Sequence, residues 1–463
     1  MEHNNSQDAN YWIHGCIISV VAGFVKVSQK RFSEIFWGFM RCLNPTTIYS
    51  WIRAAGKQKT FQSFYYQLKR IGQQRKALGR DIKAYTIQRL APLLRDCPRI
   101  YIVGDDTQTN HPGPKIEGAY WMKDSTPQAT DAKMCRGHSW VVLTIIVEHP
   151  QWGTLSFVVR TRLYLCKKAL EKLRPDKRRK FCTKTRMLVT MVGSVLQQLR
   201  EFNKPITLLI DGGYANQTVL EPMRRWNVEV ITRYRKDAIF YSITEFPRTG
   251  KRGRPRKPQK EIYDMERCAE CENSPWQTVT CEVYGSTRQV QYKAFQLRSN
   301  ISDGEEVLVI MSRWVPENPR GKHAKHSQPS WMLLVSTNLE LTPKQIIESY
   351  AKRFTIEETF KDLKEIEGLG KPQVRNLECT EASFLISTLG YNLVELWALD
   401  QDEEKLKQFR AFADDANRRP SHADKRKCMC LELLHNELLA LYANRINPKI
   451  FTDLLERLVL MGV

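Results

Sequence analysis

Acidic side chains stand at the ends of two short apolar runs. Arg99-Ile-Tyr-Ile-Val-Gly leads into Asp105 and Asp106, and Ile206-Thr-Leu-Leu-Ile leads into Asp211. Both runs have the length and composition of buried strands, and open α/β sheets place their sites in the crevice beyond the strands' carboxyl ends. Either acid alone is a weak signal, because Asp211-Gly212-Gly213 also reads as a plain turn. A third acid has neighbours of its own. Tyr350, Arg353, Glu357 and Lys364 are offset by 0, 3, 7 and 14 along a predicted helix. At ~100° per residue they fall on one stripe about 60° wide. An acid between two cations and a tyrosine is not a core face, and alone it fits an exposed ion-paired surface. Set beside the two strand-end aspartates, it outlines a group of carboxylates flanked by cations.

The elements that must position these residues are legible in outline. Residues 1–98 read as helix, with apolar residues at helical spacing around Ile17, Val21 and Phe24 and again from Phe61 to Leu68. Asn44-Pro45-Thr46-Thr47 offers caps for a helix carrying Ile48, Trp51 and Ile52. From residue 99 to 235 strands dominate, with a helix over 183–202, as in an α/β domain. Residues 236–338 begin with a basic linker and continue as β, including alternating runs at Thr278–Tyr284 and Val290–Leu297. Residues 339–375 carry the charged helix, and 376–463 read as a helical tail suited to dimerisation or DNA contact. The order is α/β with a β-rich insertion, flanked by helical N- and C-terminal regions.

The motif Tyr350-x2-Arg353-x3-Glu357-x6-Lys364 resembles the Y-R-E-K signature of bacterial insertion-sequence DDE transposases of the IS-four-like superfamily. Asp211-Gly212-Gly213-Tyr214 resembles that family's second-aspartate motif, and Asp105-Asp106-Thr107 its first. The likeness runs over about residues 100–375 and implies a ribonuclease-H-like catalytic core. It implies catalysis by Asp105, Asp211 and Glu357 holding two Mg²⁺ ions, with Mn²⁺ able to substitute. All-oxygen donors suit such hard cations better than zinc. Asp106 is the alternative to Asp105; counting Asp-x-Thr back from Thr107 favours Asp105. Tyr350, Arg353 and Lys364 would contact DNA phosphates. The implied reaction cuts transposon ends, then joins the freed 3′-hydroxyls to target DNA. An aromatic side chain could hold a flipped base, and Trp276, Trp314 and Trp331 all lie in the insertion.

Charge agrees with a polyanionic partner. The 463 residues hold 72 Lys+Arg against 50 Asp+Glu, a net +22. From Arg53 to Arg89 there are ten cations and one acid, from Lys167 to Arg186 ten and two, and from Pro247 to Lys260 seven and none. These three runs together exceed the whole net charge, so the remainder is near neutral. In the third run, Arg252 and Arg254 of Arg-Gly-Arg-Pro could enter a DNA minor groove or merely sit on a flexible linker. The expected partners are double-stranded DNA, at terminal inverted repeats and target, and a second copy of the chain. The longest early apolar stretch, Ile17–Val25, is too short to span a bilayer and lacks a basic flank before it. A bacterial cytoplasmic, nucleoid-associated protein is therefore expected. Twelve scattered cysteines fit free thiols, although Cys268-x-x-Cys271 has metal-ligand spacing. Two other readings remain open from sequence: a non-transposing nuclease of the same fold, and a DNA-binding regulator.

Overall fold

The computed structural model describes residues 8–24, 26–43, 47–124, 134–243, 262–302, 304–314, 330–410 and 418–443. The basic segment 247–260, with Arg252 and Arg254, lies outside the described residues.

In chain order, α1 (Ala9–Val21), α2 (Lys26–Arg41), α3 (Ile48–Ala54), α4 (Phe61–Gln73) and α5 (Arg75–Asp96) come first. Then follow β1 (Ile100–Asn110), β2 (Tyr120–Lys123), β3 (Met134–His149), β4 (Gly153–Tyr164), α6 (Lys167–Lys172) and α7 (Lys184–Arg200). After them come β5 (Ile206–Ile210), α8 (Gln217–Arg225), β6 (Glu229–Tyr234), β7 (Phe240–Tyr241), β8 (Ile262–Tyr263) and α9 (Met265–Glu270). The chain continues through β9 (Gln277–Val283), β10 (Ser286–Ser299), β11 (Glu306–Trp314) and β12 (Trp331–Ser336). It ends in α10 (Pro343–Lys352), α11 (Phe354–Glu365), α12 (Leu377–Ala398), α13 (Glu403–Lys407) and α14 (His422–Ala443). The fold is mixed α/β, in two compact units.

One unit comprises Cys97–Asp105 and Thr185–Ile356. Its sheet is mixed. β1 runs parallel to β5, with Gly104 opposite Ile210, and β5 runs parallel to β6, with Ile210 opposite Thr232. All five β5 residues are buried, as the unbroken apolar run Ile-Thr-Leu-Leu-Ile requires of a strand covered on both faces. Gly104 is needed where it is, because a Cβ there would overlap the Leu188 side chain of α7. From β6 the sheet continues antiparallel through β12, β11 and β10. β10 pairs with both β9 and β7. Phe240, Met265, Leu297, Val309, Leu333 and Val335 pack into one apolar cluster behind these strands. α10 starts at a capping box: Thr342 caps the Gln345 amide, Gln345 returns to the Thr342 amide, and Pro343 occupies the first turn.

The other unit comprises Met1–Asp96, Asp106–Lys184 and Glu357–Val463. β3 and β4 form a long hairpin, Ser139 opposite Tyr164 and His149 opposite Gly153, with an irregularity between Leu143 and Thr144. The sequence places strands only at Ser139–Glu148 and Leu155–Arg160. Pairing carries both further into polar sequence, which alternation alone does not mark. α12 forms the centre, buried at every position from Leu377 to Ala398 except Glu378. α4 lies so close to it that a Cβ on Gly72 would run into the Glu378 carbonyl. Helices of its own unit therefore cover α12.

Opposite charges are enclosed in this unit. His422 bridges Glu395 (2.7 Å) and Glu367 (2.9 Å), and Lys425 donates to Glu395 at 2.6 Å. Arg426 donates to the Phe39 carbonyl at 2.7 Å. Burial alone would lower the His422 pKa, but hydrogen bonds to Glu367 and Glu395 outweigh it and push the imidazole up to about 9. Burial would raise Glu395, yet Lys425 and His422 hold it down at about 2.

Candidate active site

Strand register brings the two aspartates together. Gly104 and Ile210 are the last partners of parallel β1 and β5, and Asp105 and Asp211 follow them. β5 ends there, whereas β1 runs on to Asn110, so Asp105 lies within its strand and not at the end that the sequence suggests. β6 adds a third position: Ile210 opposes Thr232, so Asp211 is next to Arg233. Both aspartates thus stand one residue past the last β1–β5 pair, Asp211 beyond the carboxyl end of its strand, where ligand sites of α/β sheets form.

α10 brings the next two residues. The Tyr101 and Ser349 hydroxyls, 2.9 Å apart, tie β1 to this helix. Arg353 follows its last residue and donates from Nη1 to Asp105 Oδ2 at 2.7 Å, with side chains 14% and 19% exposed. This is a charge-assisted bond in partial burial, where it is stronger than on an open surface. The Arg353 guanidinium also lies 5.8 Å from the Tyr350 ring. The Tyr350 phenol is pushed up to about 12, first by burial and then by Asp211, against the lowering pull of Arg353 and Arg233. Four of the residues expected from sequence thus meet in one unit: Asp105, Asp211, Tyr350 and Arg353.

The predicted single helix through Tyr350 and Lys364 is two helices. Arg353 alone separates α10 from α11, in a tightened turn with i→i+3 bonds from Arg353 N to Tyr350 O (3.0 Å) and Ile356 N to Arg353 O (3.2 Å). The angular stripe computed for an unbroken helix therefore does not carry across this point.

Glu357 and Lys364 belong to the other unit. Glu357 is exposed in the first turn of α11, where a negative charge complements the helix dipole. Lys364 is pushed down by burial, with Asp124 offsetting part of the effect. Asp106 also lies in this unit, bonded by Lys184 Nζ at 2.5 Å and approached by Ser139 Oγ at 3.5 Å. His111 and His138 are buried with ring centroids 5.0 Å apart. Burial, with Arg136 adding to it, pushes both down to about 4, so they are neutral near pH 7. His138 Nε2 meets the Glu117 carbonyl at 2.9 Å, a structural role.

The donor set fits a hard cation only in part. Asp105 and Asp211 supply oxygens alone, which suits Mg²⁺. Among the described residues no group of three or more His, Cys, Asp or Glu is placed to hold a metal ion. Near Cys268 and Cys271 the cation present is Lys293, whose buried Nζ caps the carbonyls of Cys268, Ala269 and Cys271 at 2.8, 3.1 and 3.0 Å.

Residues 186–393 match the family model of the transposase DDE domain. That match supports a DDE transposase. The matched stretch contains Asp211, Tyr350, Arg353, Glu357 and Lys364 and begins after Asp105 and Asp106, which rest on the register with Asp211 instead. Proteins of this family generally use divalent metals and act on DNA. No curated protein matches the chain. Among the described residues no helix is long and apolar enough to cross a membrane.

Sequence reasoning missed Arg233, Ser349 and Lys184. Each acquires its place only through pairing: β5 with β6, β1 with α10, Asp106 with the start of α7. Arg233, an exposed residue between buried Thr232 and Tyr234, carried the one usable signal, a cation breaking into a strand. Of the three tryptophans in the β-rich stretch, Trp276 faces Arg313 at 4.0 Å and Trp331 faces Lys236 at 4.5 Å. Trp314 is 6.2 Å from Tyr284, which in turn meets Phe354 edge-on at 5.5 Å, next to Arg353.

Proposed function

We propose that this chain is a DNA transposase of the IS-four-like, Y-R-E-K kind. In this reading it hydrolyses the phosphodiester at transposon ends and then joins the freed 3′-hydroxyl to target DNA. One observation carries it: Asp105 and Asp211 each follow the last residue pair of parallel β1 and β5, with Arg353 on Asp105 and Tyr350 next to Arg353. Parallel β1, β5 and β6 support a ribonuclease-H-like core, and strands β7–β12 support an insertion over 236–338 between Asp211 and Glu357. The helical regions 1–98 and 376–463 flank that core in the same reading.

Asp105, Asp211 and Glu357 are the metal-holding residues, with Asp106 as alternative to Asp105. The place of Glu357 rests on motif spacing and on the family match that spans it. Bound Mg²⁺, two ions in this reading, would neutralise charge on the phosphorus centre and lower the pKa of the attacking water. The chain's own side chains do the rest. Arg353 and Lys364 hold phosphate oxygens, and Tyr350, protonated at neutral pH, donates a hydrogen bond from its phenol. In hydrolysis the water oxygen bonds phosphorus as the bond to the 3′-oxygen breaks, leaving a 3′-hydroxyl and a 5′-phosphate. In joining, that 3′-hydroxyl takes the water's place on a target phosphodiester. Two copies acting on paired ends, in the bacterial cytoplasm at the nucleoid, complete the proposal.

The test is cleavage and strand transfer on DNA carrying the element's own flanking repeats, with and without Mg²⁺. Products joined to target DNA support a transposase. Cleavage without joining leaves a nuclease, and binding without cleavage leaves a regulator.

A further inference from the structure

A second cationic site lies within the unit that holds α5 and β4. Arg75, Gly79 and Lys83 follow one another at four-residue spacing along α5, so they share a ridge of the helix. The irregularity in the β3–β4 pairing leaves Val159 without a cross-strand partner, which shifts the alternation of β4. Val158 and Val159 are consequently both buried, and Arg160 and Arg162 point to one face. The Arg160 Nη1 reaches the α5 ridge at Gly79, 3.6 Å from where a Cβ would stand. Arg179, from the chain after α6, joins the line next to Arg75.

Anions are short along this line. Glu381 is shared: Arg179 takes it through two bonds (2.7 and 2.6 Å) and Arg75 approaches at 3.2 Å. Asp81 faces Arg80 at 3.1 Å. Among the described residues no ion pair reaches Arg160 or Arg162, and the Arg160 Nε is buried with no hydrogen-bond partner. A buried donor without a partner costs stability unless a ligand satisfies it. The cations also feel one another. Burial first and Arg162 second push Arg160 below its ordinary pKa, and burial, Arg160 and Arg80 do the same to Lys83.

We propose that the α5–β4 seam is a track for the sugar-phosphate backbone of duplex DNA, with the Arg160 guanidinium binding a phosphate and Lys83 and Arg162 its neighbours. The proposal rests on the DNA-processing reading above and adds to it a binding surface built from residues of the other unit. A backbone fits better than a lone phosphate because the cations are strung along two elements, and because the basic runs 53–89 and 167–186 supply α5 and Arg179.

The salt dependence of binding tests it. Each phosphate contact contributes about 0.9 to the slope of log affinity against log salt on duplex DNA. In the full-length chain, Arg160→Gln with Arg162→Gln should flatten that slope by roughly 1.8 and weaken binding about tenfold or more at fixed salt. The double variant should unfold at the same temperature as the parent or higher, since it removes cations that lack anions. Lys83→Gln changes the helix alone and should flatten the slope by about 0.9, which keeps the test alive should the strand variants fold poorly. Unchanged slopes in all variants overturn the track, as does a slope lost on single-stranded RNA and kept on duplex DNA. If the parent chain binds no duplex, this proposal and the proposed function fall together. If the parent cleaves end DNA and the variants keep the parental slope, only the track falls.

Discussion

Two places in this molecule bring buried or half-buried carboxylates against cations, and they are built differently. In one unit, Glu395 and Glu367 are closed in by His422 and Lys425, with Arg426 nearby, and all five side chains are nearly inaccessible. In the other, Asp105 meets Arg353 just past the last β1–β5 pair, where water reaches both side chains, with Asp211, Arg233 and Tyr350 in the same unit. The first cluster joins a loop, α12 and α14 through buried ion pairs, which is the work of a structural lock, although among the described residues Glu367 Oε2 and Arg426 Nε have no hydrogen-bond partner. The second holds two acids on adjacent parallel segments, Asp105 within β1 and Asp211 just beyond β5, open enough to accept a ligand. Charge clustering alone does not mark a site; accessibility and unequal pairing do.

The largest expected difference between the two lies in activity. Asp211→Asn or Glu357→Gln should cut metal-dependent cleavage of end DNA by on the order of 10⁴-fold, the scale of losing a member of a catalytic set. Affinity for the same DNA, measured by gel shift, should change little. Chelating the divalent ion should abolish cleavage in the same assay and leave the duplex bound. Full cleavage by either variant would sink the assignment of that carboxylate. His422→Ala belongs on the opposite side of the comparison: any loss of activity there should track loss of folded protein.

Arg353→Ala comes next, at about a hundredfold in cleavage, the size of removing one preorganised donor. Arg353→Lys should not restore it fully, because an ammonium cannot reproduce the planar fork of the guanidinium. An unchanged rate in Arg353→Ala would reduce its bond to Asp105 to a surface pair.

How much of this was readable beforehand differs between the two regions for a physical reason. The aspartate site was legible in part: Asp211, Tyr350 and Arg353 each sit in a local pattern, a buried strand running into an acid or a helical stripe, whereas the apolar run before Asp105 suggests a strand end that β1 passes on its way to Asn110. What the stripe could not reveal is the break at Arg353, since an i→i+3 turn leaves no mark in side-chain spacing. The structural lock was illegible. Glu367, Glu395 and His422 are isolated polar residues far apart in sequence, and only the docking of α14 against α12 makes them partners. Arg160 and Arg162 were hidden in the same way, because neither belongs to a basic run and a bulge sets their direction.

The smallest expected effect is one of pH, and it breaks the comparison most cleanly. His422 is pushed up to about 9 in the fold, against about 6.5 for an unperturbed histidine. A folded pKa above the unfolded one means that the native state binds the extra proton. The stabilisation is therefore complete below about pH 6.5, shrinks from there upward, and is gone above pH 9. Glu395 works in the other direction: held at about 2, it stabilises above its unfolded value and loses that contribution only as pH falls toward 2. Urea unfolding followed between pH 6 and 10 should show the parent losing stability across that interval. His422→Ala should unfold at lower urea, consistent with about 3–5 kcal/mol for breaking a buried pair, and its curve should be flatter over the same range. Tyr350, pushed up to about 12, adds to the slope only at the alkaline end, so Arg353→Ala should keep the parental profile between pH 6 and 9. A parental slope in His422→Ala would show that the imidazole is not charged in the fold, and the lock would then rest on Lys425 and Glu395 alone.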